Sequence, residues 1–174
     1  MIKSIAELNQ ARDECKSMVT KRSLASAAAA AVPVPAADVG VDLLILNELI
    51  PAINRRFGLA ADQIEGLDPQ VKQRITVIAT SLGSSFIGKA VTKEAVTLVL
   101  KKVGVRVATK SVAKYIPILG TAVASSVSFG AMKWMGNSHV DDCYEAVRQL
   151  LAADTSDAVG SIADANSEEV PKVA

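Results

Sequence analysis

The sequence predicts an all-α fold, and three observations carry that reading. Half of the residues are hydrophobic while only 3% are aromatic, so alanine, valine and other aliphatic side chains make up the apolar total, as in many helical cores. Apolar positions recur at helical spacing in several segments, and no alternating run bounded by hairpin turns occurs. There is also no internal repeat at a period of roughly 20 to 50 residues. At 174 residues the chain suits one domain. The expectation is a single compact bundle of about five to seven helices over residues 1–153, with two apolar, small-residue-rich hairpin segments. Residues 154–174, TSDAVGSIADANSEEVPKVA with Asp154 before them, are small, polar and acidic and read as a disordered tail.

Residues 2–22 form the first predicted helix, with Ile5, Leu8, Cys15 and Met18 on one stripe and charged residues elsewhere. It runs into SLASAAAAAV, where alanine favours helix strongly. Val32-Pro33-Val34-Pro35 stops it, because each proline lacks a donor and disfavours helix for the residue before it. Asp38 is a candidate N-cap for the next helix, DVGVDLLILNELIPAINRRFG, whose density of Leu and Ile predicts burial on most sides. Pro51 is expected to kink that helix and Gly58 to close it.

Asp68 and Pro69 supply an N-cap and a first-position proline for a helix through Val71, Ile75, Ile78 and Ala79. Thr92 is a further candidate cap, and Val96, Leu98, Val99 and Leu100 mark a buried segment ending near Gly104. The stretch YIPILGTAVASSVSFGAMKWM follows, with no charge between Lys114 and Lys133 and with Tyr115 and Trp134 near its ends. Its length reaches the lower bound for spanning a bilayer. Pro117, Gly120, Gly130 and three serines argue equally for a buried helical hairpin, and the two readings stand side by side. Gly120, Ala124 and Ser128 recur every four residues and make a small face for helix packing or self-association. Ser138 with Asp141 three residues on predicts the start of a last helix, with Val140, Tyr144, Val147, Leu150 and Leu151 on one face.

Nineteen basic residues against eighteen acidic ones give a formal charge of +1, which favours neither nucleic acid nor a strongly acidic ligand. The local distribution is more telling. No acid occurs from Ala95 to Val140, and Lys102, Arg106, Lys110 and Lys114 recur every four residues to form a basic helical stripe. The stripe fits a solvated face, or a surface for anionic lipid or a partner. Base-stacking aromatics are not interleaved with it, so no nucleic-acid partner is expected. Cys15 and Cys143 are the only cysteines, which excludes a disulfide framework and a zinc spacing. The N-terminal residues lack a signal peptide's apolar core, and a reducing compartment is expected.

Gly83-Ser84-Ser85-Phe86-Ile87-Gly88-Lys89-Ala90 matches the phosphate-loop pattern G-x-x-x-x-G-K but ends in Ala90, where a hydroxyl would hold magnesium. The preceding ITVIATSL can pass for the strand such a loop needs, so Gly83, Gly88 and Lys89 define a degenerate nucleotide site as the alternative reading. The competing reading is a glycine-relaxed helix junction. His139, Asp142 and Cys143 are close in sequence, but one histidine with a carboxylate and a thiol falls short of a four-ligand zinc site, and a capped, partly exposed helix terminus is the expected structure there. No metal, cofactor or catalytic residue is expected.

Two segments, AAAAAVPVPAADVGVDLLILNELIPAINRRFGL and KYIPILGTAVASSVSFGAMKWMGN, resemble the bacterial YcjF-type domain of unknown function, over about residues 18–152. The resemblance implies a helical, often membrane-associated module of the kind joined to P-loop GTPase domains, with Val32, Pro33, Pro35 and Asp38 setting its turn and no catalytic residues. The functional expectation is therefore a non-enzymatic bacterial module without a GTPase domain of its own, in the cytoplasm or on the cytoplasmic face of the inner membrane. Its surface residues would be Lys102, Arg106, Lys110, Lys114, Tyr115 and Trp134. Expected partners are an anionic membrane surface, a GTPase or other protein in trans, and a second copy. Membrane permeabilisation by an inserted hairpin is a further alternative.

Overall fold

The computed structural model describes residues 1–30, 37–84, 86–89 and 120–167, which form five helices and no strands. They are α1 (Ile5–Ala30), α2 (Ala37–Phe57), α3 (Ala61–Glu65), α4 (Pro69–Ser81) and α5 (Gly120–Ser167). The all-α prediction holds. The Val32–Pro35 turn, the basic stripe from Lys102 to Lys114, the Thr92 cap and Tyr115 lie outside the described residues. Among the described residues no helix is long and apolar enough to cross a membrane.

Local signals explain several boundaries. The Ser4 hydroxyl accepts from the Glu7 N–H at 3.2 Å and starts α1. Leu8, Ala11, Cys15 and Val19 then enter the core, whereas Ile5, on the predicted stripe, stays about half exposed. Gly58 closes α2 with φ +74°. Its N–H donates to Arg55 O at 3.2 Å, and the N–H of the buried Leu59 reaches back to Asn54 O at 2.8 Å, the paired bonds of a Schellman cap. Asp68 caps α4 by accepting from the Gln70 N–H at 2.8 Å, with Pro69 in the first position. ITVIATSL is thus helix rather than strand over all but its last residue, because Asp68 and Pro69 begin a helix that puts Ile75 and Ala79 in the core.

Two expectations fail on tertiary grounds. Burial of α2 on most sides does not extend to Leu44, which is exposed, while Leu46, Leu49, Ile50, Ile53 and Phe57 are fully buried. No helix begins at Ser138: α5 is one helix of 48 residues that passes through Gly130, Gly136 and Ser138 and continues from Asp154 to Ser167 across the tail boundary. Packing along its length replaces the local start signal, since Met132, Met135, His139, Val140, Cys143, Ala146, Val147 and Leu150 are all buried.

The core lies between α1, α2 and α5, with α4 against α5. Ion pairs reveal the register. Glu14 meets Arg56, and Arg22 meets Glu48 at 2.8 Å, so α1 and α2 run antiparallel. Lys16 meets Asp141 at 2.9 Å and Asn9 accepts from the Tyr144 hydroxyl at 3.0 Å, which sets α1 antiparallel to α5. The Arg12 guanidinium sits 4.9 Å from the Tyr144 ring centroid on the same seam. At Gly136 the two helices approach so closely that a β-carbon would stand 2.7 Å from Val19 Cγ1.

Candidate functional site

The chemically richest place among the described residues is a buried polar cluster where α2, the turn that holds Phe86 and α5 meet. Asn54 is its centre. The Asn54 side-chain Nδ2 donates to Phe86 O at 2.8 Å, and because a carbonyl can only accept, that bond fixes the orientation of the amide. Asn54 Oδ1 therefore faces α5, where it lies 2.8 Å from His139 Nε2 and accepts from the Cys143 thiol at 3.5 Å. His139 Nε2 must then carry the ring hydrogen and donate it. The Cys143 sulfur is 3.6 Å from that same nitrogen, and the Phe86 ring packs edge-on against the imidazole, centroids 5.7 Å apart.

Burial determines what these groups can do. His139 is only 4% exposed, and loss of solvation lowers its pKa from 6.5 to about 4, so it is neutral at pH 7. The same burial, helped by the Asp142 carboxylate, raises the Cys143 thiol well above its ordinary value. Cys15 on α1 is likewise raised to about 11, chiefly by burial. Both partners are shifted away from the thiolate–imidazolium ion pair. Asp142 is also raised, first by burial and then by neighbouring Asp141. Among the described residues no three His, Cys, Asp or Glu side chains converge on one point that could hold a metal. The cluster is an interhelix clamp. The partly exposed helix terminus expected around His139 is instead the buried middle of α5.

The phosphate-loop-like segment is a turn with its backbone already engaged. Gly83 and Gly88 have φ of +67° and +69°. The Gly83 N–H donates to Thr80 O, the Ser84 N–H to Ala79 O and the Gly88 N–H to Leu59 O, at 3.0, 3.0 and 3.2 Å. A β-carbon on Gly88 would press on Ile64 Cδ1 at 3.0 Å. The glycines serve a helix C-cap and a close approach to α3, and Lys89 is exposed. The backbone N–H groups of Gly83, Ser84 and Gly88 are thus engaged within the fold.

Of the predicted surface residues, Trp134 is described and is 58% exposed on α5. Gly120, Ala124 and Ser128 fall within the first turns of α5. Sequence reasoning did not find Asn54, whose partners lie 85 and 89 residues further along the chain.

Helices α1, α2 and α5 thus pack around a buried polar clamp in an all-α fold. Two curated proteins similar to the chain in sequence share one name. Interferon-inducible GTPase 5 of Bos taurus is 26% identical over 149 residues, 84% of this chain and 32% of that protein. The protein of the same name from Rattus norvegicus is 25% identical over the same shares. The chain thus spans about a third of the length of these relatives. No protein-family model matches the chain, and no solved structure matches it.

Proposed function

We propose that the chain is a non-enzymatic, GTPase-associated helical module that docks on a protein partner, a GTPase first among them, at the cytoplasmic face of a membrane, in keeping with its YcjF-type resemblance. The observation that carries this reading is the similarity of most of the chain to part of a GTPase. The engaged backbone at Gly83, Ser84 and Gly88 and the neutral His139–Cys143 pair support a role without nucleotide chemistry in these residues. The membrane component rests on the bias of Lys102, Arg106, Lys110 and Lys114 beside Tyr115.

The test has two arms. The purified chain is titrated with fluorescent GTP and Mg²⁺, and no binding at millimolar nucleotide is expected. The chain is then crosslinked in its host extract with a non-hydrolysable GTP analogue or with GDP, and a P-loop GTPase enriched in one nucleotide state is expected. Tight nucleotide binding by the chain that Lys89→Ala abolishes, or absence of any GTPase among the crosslinked proteins, overturns the proposal. For the membrane component, salt-washed membranes should release the protein, because screening weakens exposed charge contacts.

A further inference from the structure

The outer face of α5 opposite the clamp carries a pattern that contacts among the described residues use only in part, through Lys16 with Asp141 and Phe129 with Lys133. Gly130, Lys133, Trp134, Asn137, Ser138 and Asp141 line a shallow groove on this helix alone. Trp134 is the only tryptophan and among the most exposed large apolar side chains. Asn137 is half-buried, and its Oδ1 is shielded from solvent without a hydrogen-bond partner among the described residues. Lys133 rests 5.4 Å from the Phe129 ring centroid and makes no ion pair among the described residues. Nothing described fills the space where a β-carbon on Gly130 would point.

These residues are arranged symmetrically about Asn137. Lys133 precedes it by four positions and Asp141 follows it by four, so charge of opposite sign stands one helical turn to either side. In an antiparallel pair of helices related by a two-fold axis, a residue n positions before the axis faces the residue n positions after it on the other copy. We propose that this face is a homodimer interface with the two-fold axis at Asn137. Lys133 of each copy then meets Asp141 of the other, and each Trp134 indole, three positions before the axis, lies over the helical turn that holds Val140 of the other. The two Asn137 amides, after rotation about χ2, exchange N–H···O bonds across the axis. One operation satisfies the unpaired cation and the orphaned amide oxygen, and covers the exposed indole. Asp141 already holds Lys16 at 2.9 Å and has lone pairs left for a second cation.

The proposal is independent of the GTPase reading, since it is tested on the isolated chain without nucleotide. The full chain is examined by sedimentation equilibrium across concentration, together with the emission of Trp134 and its quenching by iodide. A concentration-dependent dimer is expected, with blue-shifted, quencher-protected tryptophan and weakening at high salt. Lys133→Asp and Asp141→Lys should each weaken dimerisation by about tenfold or more, because each sets like charges face to face. An equimolar mixture of the two variants should recover a heterodimer. In it the introduced aspartate faces the introduced lysine, while the native Lys133 of one copy faces the native Asp141 of the other. Far-UV circular dichroism checks that both variants fold. If either does not, mild oxidation of Asn137→Cys decides, since only thiols at the axis crosslink in high yield. A wild-type chain that stays monomeric up to about millimolar concentration, or dimerises with its tryptophan still open to iodide, overturns the proposal. So do single charge reversals that dimerise like wild type, and a mixture that does not recover.

Discussion

Between Gly130 and Cys143, α5 has two faces that treat polar groups in opposite ways. On the inner face His139 and Cys143 are enclosed, yet both reach Asn54, which also ties down Phe86 O. On the outer face Trp134 is exposed, and among the described residues Lys133 has no carboxylate and Asn137 Oδ1 no partner. Polarity is therefore a poor guide to where this helix stores its unsatisfied capacity. A buried group must be paired because desolvation costs about 1–3 kcal/mol when it is not. On the outer face the Asn137 Oδ1 is the shielded atom for which that requirement is unmet among the described residues.

The comparison is broken most severely at Asn54. Asn54→Leu removes the 2.8 Å partner of both His139 Nε2 and Phe86 O, leaving them only the longer contacts to Cys143 Sγ at 3.6 Å and the Lys89 N–H at 3.5 Å, and a loss of about 3 kcal/mol in urea unfolding is expected. A loss under about 1 kcal/mol would show that the clamp is well solvated or loosely formed.

Acid attacks the same face more gently. The folded-state pKa of His139 lies below its unfolded value, so the unfolded state binds the proton more readily and neutral His139 favours folding. Its contribution is complete above pH 6.5 and is lost progressively as the pH falls toward about 4. Over that window the loss is about 3 kcal/mol at most, and partial relaxation of the site will reduce it. His139→Gln should flatten the pH dependence in that window, whatever it does to stability at pH 7.

At the seam between the faces, Gly136→Ala places a methyl group against Val19. Overpacking costs about 1–3 kcal/mol and improved helix propensity returns up to about 1, so a net loss of about 1 kcal/mol is expected. Adding Val19→Ala should make the two changes non-additive, because the clash disappears with its second partner.

The smallest effect on folding is expected on the outer face. Trp134→Ser should change monomer stability by less than about 0.5 kcal/mol. A large loss would place Trp134 in the core and erase the distinction between the faces.

Legibility in the sequence followed the range of the responsible interaction. The Gly58 stop and the Asp68–Pro69 start were readable because each is completed within a few residues. Ser138 looked equally competent as a start, but a run of buried contacts through Met135, His139, Val140 and Cys143 carries α5 straight across it. The strand-like reading of ITVIATSL lost to the cap before it. At the candidate site, His139 and Cys143 drew notice as neighbours on one helical turn, but the residue that gives them meaning, Asn54, shows no local signal. Its role arises only when α2 and α5 are brought together.

What the sequence determined by itself is the helical class, the end of α2, the start of α4, and the separation of apolar from polar positions along most helices. These follow from backbone propensity and capping, which act over a turn or two. Tertiary structure alone decided that α5 is continuous, that Gly136 admits α1, that Asn54 clamps His139 and Cys143, and that Trp134 stays outside. Each depends on which surfaces lose water to one another, and that is a property of the assembled bundle.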